Sequence, residues 1–204
     1  MWYPATVTSA GASPITLEEA KRQLRVTGAS DDALIQGLLD AAMAQAEAYC
    51  GIRIRPAEVT VACDDFADLA RIPVAPLREI TSISYVDAAG VTQEVEADVY
   101  EEHLAGLSPS VSLSFGERWP SYRAGSRITL VAEAGYETVP ANIRAAVLLM
   151  LTRLYPLAKS DVLVRSETVE GVGATQWGGA VEVTGAIAEV SHGLLEPYRN
   201  WAMR

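Results

Sequence analysis

The stretch SDDALIQGLLDAAMAQAEAYCGIRI, residues 30–54, decides the fold because it contains every signal of one long helix. Ser30 or Asp31 can cap its start, where the helix dipole favours acidic residues, and Gly51 can end it. About 20 residues rising 1.5 Å each predict a rod of about 30 Å. Its broad apolar face follows the helical spacing of three and four and comprises Leu34, Ile35, Leu38, Leu39, Ala42, Met43, Ala46, Tyr49 and Cys50.

The rest of this helix surface is made largely of small residues, namely Ala33, Gly37, Ala41, Ala44 and Ala48. Two interpretations of them stay open. The alanines could simply favour helix formation, or the small side chains could allow another helix or subunit to approach closely. The second interpretation gives a candidate subunit interface of Leu34, Leu38, Ala41, Ala44 and Ala48.

A short helix precedes this rod within a helical part that spans 15–51. Thr16 and Glu19 have the spacing of a capping box, in which each satisfies a free backbone group of the other. Thr27 and Gly28 are expected to end this first helix. Residues 1–14 are small, polar and Pro-containing, so we predict an extended N-terminal arm.

From 52 to 135 the apolar period changes and predicts an inserted β module. Asp87 to Gly90 is a turn, so Ile80–Val95 is interpreted as a hairpin. The predicted strands are Val59–Ala62, Ile80–Val86, Val91–Val95, Val111–Phe115 and Ile128–Ala132.

Three further segments complete the chain. Pro140 is well placed in the first turn of a helix at 138–156, which is apolar nearly all round and is expected to be buried, with Pro156 at its end. Residues 160–186 hold five glycines and no helical period, which predicts a flexible or extended arm. Residues 187–204 are predicted to form the C-terminal helix. The fold class is therefore α+β, a single domain of 1–204 with a mainly helical core and a small antiparallel sheet inserted between the second and third long helices.

Composition limits the function. Half of the 204 residues are hydrophobic, so a proper core is expected. A net charge of −10 argues against tight binding to DNA phosphates. The longest apolar run, residues 145–151, is far shorter than the roughly 20 residues of a membrane span, and the N-terminus lacks a signal-peptide pattern. Cys50 and Cys63 are expected to be reduced thiols.

A search for catalytic patterns finds little. The two histidines, His103 and His192, have no partner at metal-ligand spacing, and the phosphate-binding, dinucleotide-binding and hydrolase motifs are absent from the sequence. Asp64, Asp65 and Asp68 lack the glycine and distant glutamate of a calcium loop. We therefore predict no catalytic, cofactor or metal site.

The segment FGERWPSYR, residues 115–123, contains residue types that are enriched at binding hot spots. The alternative is a loop whose tryptophan packs on the β module. The candidate partner contacts predicted from this segment and the C-terminal part are Arg118, Trp119, Tyr122, Trp177, Tyr198 and Trp201.

The order of these parts resembles the head–tail connector, or adaptor, family of tailed phages, which also occurs in phage-like gene transfer agents. The likeness lies in ITLEEAKRQLRV followed by the long Ala-rich helix, in the hairpin PLREITSISYVDAAGVTQEVEADVY, in the Trp-Pro loop with the strand and buried helix after it, and in LLEPYR at 194–199. The resemblance implies a ring-forming structural protein, commonly a dodecamer, that docks on the portal protein of a DNA-filled capsid. It further implies a platform for the stopper or tail-completion protein, a lumen through which DNA passes, and a place at the head–tail junction of a virion assembled in the host cytoplasm.

Two alternatives remain at this stage. One is a tail-completion or stopper protein of the same particle. The other is a small intracellular enzyme or ligand-binding domain with its site near Arg118, Trp119 and Arg123. A pocket with convergent polar groups would favour the latter.

Overall fold

The computed structural model describes residues 1–159, 166–169, 173–176 and 180–200, with side chains for 1–159 and 185–200. The regular elements follow one another in this order: β1 (Thr6–Ala10), α1 (Leu17–Leu24), α2 (Asp32–Cys50), β2 (Ala57–Cys63), β3 (Leu77–Val86), β4 (Thr92–Glu94), β5 (Tyr100–His103), β6 (Ser110–Leu113), β7 (Ile128–Ala134), α3 (Ala141–Lys159), β8 (Ser166–Val169), β9 (Gly173–Gln176) and α4 (Ala180–Leu195). Short 3-10 helices lie at Phe66–Ala70 and Glu196–Tyr198. In the described part of the chain, no helix has the length and hydropathy that a membrane crossing requires.

The elements form two compact units, which confirms the α+β class. The β unit comprises 1–14, 51–138 and 198–204, and the helical unit comprises 15–50 and 139–197. Whether 1–204 acts as a single domain stays a prediction.

The β unit contains a five-stranded antiparallel sheet in the order β1-β2-β7-β3-β4. Side chains of the central strands β2 and β7 alternate strictly between buried and half-buried positions. This alternation places one face of the sheet on the core, where Val61, Leu130 and Phe66 are at most 3% exposed. The β part is thus larger than the hairpin or small sheet expected from the sequence.

Strand β3 shows how the sheet accommodates an irregular apolar spacing. Its buried residues Leu77, Ile80 and Ile83 are three positions apart, whereas a regular strand turns every second residue inward. The register with β7 shifts between Leu77 and Glu79 and again between Ile80 and Ser82. Each such irregularity absorbs one residue, so all three side chains reach the same face.

The predicted hairpin is confirmed, because β3 and β4 pair antiparallel across the turn at Asp87 to Gly90. Besides β8 and β9, two strands were not predicted. The N-terminal arm contributes β1, whose five side chains are all exposed and therefore show no alternation in the sequence. Strand β5 (sequence YEEH) pairs with β6 in a separate two-stranded sheet although it contains two glutamates.

The helical unit has α3 at its centre. Helices α2 and α4 each pack along α3, whereas they meet each other mainly near their C-terminal ends. From 146 to 155 every residue of α3 is buried or half-buried, which confirms the expectation of a buried helix. The strand pair β8–β9 precedes α4 in the chain.

The predicted ends of the first and third helices are wrong. Helix α1 ends at Leu24 and not at Thr27, because Arg25 adopts a left-handed conformation (φ 57°) and the Val26 N–H donates to the Lys21 carbonyl, as in a Schellman motif. Helix α3 continues through Pro156 to Lys159, and Tyr155 and Lys159 in this last turn both bind Asp31.

The C-terminal helix also differs from its prediction. It begins at Ala180 and ends at Leu195, so it starts seven residues before the predicted position and stops well before 204. Part of the predicted extended arm at 160–186 is therefore β8, β9 and the first turns of α4. The remaining residues of that arm lie outside the described part of the chain.

Candidate subunit interface on helix α2

Helix α2 presents two sharply different faces. Its inner face is fully buried against the rest of the helical unit through Ile35, Leu39, Ala42, Met43, Ala46 and Cys50, each at most 1% exposed. The opposite face is open to solvent and consists of Ala33, Leu34, Gly37, Ala41, Ala44, Gln45 and Ala48. Among these exposed residues of α2, all of which the structure describes, none is charged.

An uncharged exposed face is unusual for a helix in a chain of which 21% is charged. The charged residues of α2 lie on the flank instead, where they are half-buried and held by other side chains. Asp32 forms an ion pair with Lys21 (2.8 Å), and Asp40 accepts a hydrogen bond from Gln36 (3.3 Å). The charged side chains that interact with water therefore lie beside the open face, and the open face itself has none.

The predicted interface residues lie together on this open side. Leu34 is 38% exposed, Ala41, Ala44 and Ala48 are exposed, and Leu38 is half-buried at the edge. Since 19 residues at about 1.5 Å each give about 28 Å, the face is long enough for a second helix to lie along it. Its small residues would allow the two helix axes to approach closely.

The start of α2 is fixed by a charged cluster. The Asp31 carboxylate accepts hydrogen bonds from the ammonium group of Lys159 (2.7 Å) and from the hydroxyl of Tyr155. These two donors, Lys159 first, lower the pKa of Asp31, and Asp31 raises the pKa of Lys159. The cluster fastens the N-terminal end of α2 to the last turn of α3.

The other end of α2 is fixed on α4. The Tyr49 ring stacks on His192 with ring centroids 4.4 Å apart, and the Tyr49 hydroxyl donates to Glu196 (2.7 Å). The thiol of Cys50 also points to the Leu195 carbonyl at 3.8 Å. Both ends of α2 are thus held by side-chain contacts with other helices of the unit.

A further contact places α1 against α3. One terminal guanidinium nitrogen of Arg144 lies 2.9 and 2.7 Å from the two carboxylate oxygens of Glu19. The Thr16 hydroxyl accepts from the Glu19 N–H, as predicted, but the Glu19 carboxylate is used for Arg144. Glu19, in the first turn of α1, therefore ties α1 to α3.

The predicted partner contacts in the β unit are divided. Trp119 stacks on Phe66 with centroids 4.7 Å apart, and Tyr122 meets the same ring edge-on at 5.5 Å. Both are half-buried on the core of the β unit, in agreement with the packing alternative, and burial raises the pKa of Tyr122. Arg118 is exposed. Their roles as partner contacts stay predictions.

Of the C-terminal candidates, Tyr198 is half-buried at the end of the second 3-10 helix. Trp177 and Trp201 lie outside the described residues. Phe115 begins the highlighted segment 115–123 but was predicted to end a strand and was not named as a partner contact; it is completely exposed on the loop after β6. An isolated exposed aromatic residue has no period by which a sequence pattern could reveal it.

The exposed surface of the β unit is acidic along one segment. From Glu79 to Glu117 the sequence contains eight carboxylates and neither lysine nor arginine. Glu102 and Glu94, from two different strands, come close enough to Tyr100 to raise its pKa together with burial, which is the largest cause. This segment would repel DNA, whose phosphates carry the same charge.

The aspartates and the cysteine that could have formed a chemical site are engaged in the fold or buried. Asp65 caps the 3-10 helix at Phe66, and Asp68 completes this capping box. Among the described residues, no group of three or more His, Cys, Asp or Glu side chains could hold a metal ion. Burial raises the pKa of the Cys63 thiol to about 12, which makes it a poor nucleophile at neutral pH.

Comparison with known proteins finds solved structures that have the same fold. Three solved structures share the fold over nearly the whole chain. One is the neck of an empty gene transfer agent (GTA) particle computed with C6 symmetry, with a TM-score of 0.70, 20% identity and coverage of 97% of this chain and 96% of that one. A native GTA virion gives a TM-score of 0.66 with 22% identity, and the native GTA neck computed with C12 symmetry gives 0.64 with 21%. The last two cover 96% of this chain and 95% of theirs.

The sequence itself gives a more specific match. Residues 14–101, which include α1, α2 and the hairpin, match the family model of phage gp6-like head–tail connector proteins. No curated protein matches the chain. The resemblance to head–tail connectors inferred from the sequence is confirmed by this match and by the shared fold.

Proposed function

We propose that this chain is a structural head–tail connector (adaptor) subunit at the head–tail junction of a phage or gene transfer agent virion. Copies of it form a ring, a dodecamer, that docks on the portal protein of the DNA-filled capsid. The ring provides the platform for the stopper or tail-completion protein, and DNA passes through its lumen. The role is assembly and not catalysis, and the virion is put together in the host cytoplasm.

The uncharged open face of α2 carries this proposal. A ring subunit needs a surface that is hidden in the assembled particle but open in the isolated chain. The open face of α2 has this character, because burying Leu34 and the small residues along it against another protein surface is more favourable than leaving them in water. The family match includes α2, and one of the similar necks was computed with C12 symmetry.

Electrostatics support the passage of DNA without binding. The net charge of −10 is multiplied in a ring, and the segment 79–117, which has eight carboxylates and no lysine or arginine, exposes much of this negative charge. Like charges keep a DNA column from adhering to the protein around it. The candidate contacts to portal or stopper remain Arg118, Trp119, Tyr122, Trp177, Tyr198 and Trp201.

The experiment mixes the purified chain with the portal protein of its particle and images the mixture by negative-stain microscopy. We expect rings on portals for the wild type and their loss for Leu34→Glu. Leu113→Glu is the matched control, because Leu113 is also 38% exposed but belongs to β6. Wild-type protein that never forms rings with portal would contradict the proposal. Assembly on the tail instead of the portal would favour a tail-completion protein.

A further inference from the structure

A ring interface has two sides, and the open face of α2 supplies one of them. In a cyclic assembly each junction joins two different patches of the same chain. The counterpart of the α2 face must therefore be another surface of this subunit. For twelve copies, neighbours are related by a rotation of about 30°, so the two patches must point in nearly opposite directions.

Helix α4 has a second solvent-exposed surface in the helical unit. Helices α2 and α4 both pack on α3 and meet each other mainly near their C-terminal ends, so their solvent-exposed sides lie away from these contacts. The inner side of α4 is occupied by Ser191 and Leu195, both fully buried. The Ser191 hydroxyl donates to the Ile187 carbonyl (2.7 Å), so this polar group is satisfied inside the helix.

The outward face of α4 has one row of apolar and small residues, and the exposed Glu189 lies beside this row. Val190 is 55% exposed, one of the most exposed large aliphatic side chains among the described residues. Ala186 lies one turn before it and Gly193 nearly one turn after it, both exposed. A protruding valine between two small residues can fit between the small residues of α2 in a neighbouring copy, in the manner of ridges and grooves of packed helices.

We propose that the outward face of α4, centred on Val190 and flanked by Ala186 and Gly193, is the second half of the ring interface and packs on the open face of α2 in the next copy. This inference rests on the proposed function. The other exposed large apolar side chains fit less well. Leu157 belongs to the central helix α3, and the rest belong to the β unit, namely Met1, Val7, Val91, Leu113 and Phe115.

Site-directed cross-linking tests this pairing. One copy carries Ala41→Cys and a second carries Val190→Cys, and the two are mixed with the portal protein and a short bis-maleimide. Native Cys50 and Cys63 are both buried and contribute little background. We expect the mixed cross-link to exceed that of either variant alone by about tenfold or more, because the junction raises the effective concentration of the two thiols. A chain bearing both substitutions should give a ladder of linked multimers.

The control and the contrary outcomes are distinct. Phe115→Cys mixed with Ala41→Cys should give no cross-link above background. Ala41→Cys linking mainly to itself would mean a symmetric α2–α2 contact and would overturn both the pairing and the cyclic ring. Linking of Ala41→Cys to Phe115→Cys would leave the ring intact and overturn only the assignment of α4. Absence of every cross-link in the presence of portal would contradict the proposed function as well.

A second measurement uses blocked junctions. Leu34→Glu and Val190→Glu should each prevent ring assembly, since each destroys one half of the interface. A mixture of the two variants retains one intact pairing, between α2 of the Val190→Glu copy and α4 of the Leu34→Glu copy. We therefore expect a dimer, and no larger species, by analytical ultracentrifugation of the concentrated mixture. A mixture that stays monomeric while wild type at the same concentration forms multimers would refute the pairing. Circular dichroism of each variant verifies that the helices are intact.

Discussion

The exposed surfaces of the two units differ in charge. The open face of α2 has no charged side chain over 19 residues of helix, whereas the segment 79–117 of the β unit has eight carboxylates and no lysine or arginine. Burying the first surface costs little solvation free energy, whereas burying the carboxylates of the second would cost much. This difference fits the proposal that copies associate through the helical unit, while the acidic segment stays solvated.

Substituting one glycine in each unit by alanine should give the largest difference in unfolding free energy. Gly135 follows β7 with φ +89°, and a Cβ there would lie 2.1 Å from the Arg55 carbonyl oxygen. We expect Gly135→Ala to lower the free energy of unfolding by at least about 3 kcal/mol, because backbone must move to relieve the clash. Urea denaturation followed by tryptophan fluorescence measures this change. A loss below about 1 kcal/mol would mean that the turn yields easily.

Gly37 is the counterpart in α2. It lies in a helix interior, and a Cβ added to it meets nothing within 4 Å. We expect Gly37→Ala to raise the free energy of unfolding of the isolated chain by up to about 1 kcal/mol, since alanine favours a helix more than glycine does. If α2 packs closely on a neighbour, the same substitution should weaken the ring. A variant that is stabilised both as a monomer and as a ring would argue against close packing at this position.

Two aromatic residues of the loop after β6 differ in how much they should contribute to the stability of the β unit. Trp119 stacks on Phe66, whereas Phe115 is fully exposed. We expect Trp119→Ala to cost about 2 kcal/mol of unfolding free energy and Phe115→Ala to cost almost nothing. Thermal unfolding of both variants is the measurement. Equal losses would show that Phe115 packs on the protein in solution.

One ion pair in each unit should give a smaller difference in stability. The Glu19–Arg144 pair of the helical unit is 22% and 35% exposed, and the Arg78–Glu133 pair of the β unit is 35% and 36% exposed, each with a 2.7 Å contact. We expect a double-mutant cycle to give a coupling energy of about 1 kcal/mol for the first pair and about half of that for the second. The first pair should also be less sensitive to added salt. A larger coupling for Arg78–Glu133 would reverse the expected order.

The pattern of apolar residues determines which elements of the two units could be predicted from the sequence. The apolar positions Ile35, Leu39 and Met43 of α2 follow directly from the helical period, and so do the small residues on its other side. Strand β1 was missed because its side chains are exposed on both faces and show no alternation. The end of α1 was missed because Arg25 adopts a conformation that glycine usually provides.

The second half of the candidate interface was missed for a related reason. The predicted C-terminal helix began at 187, whereas α4 begins at Ala180. Glycines and valines before 187 have low helix propensity, and tertiary packing on α3 outweighs that preference. Without the first turns, Ala186 was outside the predicted helix and its row with Val190 and Gly193 could not be recognised.

The smallest expected effect concerns pH. Lys159 and Tyr155 lower the pKa of Asp31 below its ordinary value of 3.8, and the Val91 N–H is the main cause of a lowered pKa at Asp87 in the β unit. A carboxyl group whose pKa is lower in the folded than in the unfolded state stabilises the fold above its unfolded pKa. That contribution is lost as the pH falls through the folded pKa. We therefore expect Asp31→Asn to lower the melting temperature at neutral pH and to lose this effect in strong acid.

Asp87→Asn is the matched control for that measurement. Its carboxylate accepts hydrogen bonds from the backbone N–H groups of Ala89 and Val91, and an asparagine oxygen can accept the same bonds. Asp31 lies against an ammonium group, so replacing its charge removes an attraction that asparagine cannot restore. Added salt should therefore reduce the difference between wild type and Asp31→Asn and leave the effect of Asp87→Asn unchanged. Equal salt dependence in the two variants would show that the Lys159 contact does not hold the start of α2 in solution.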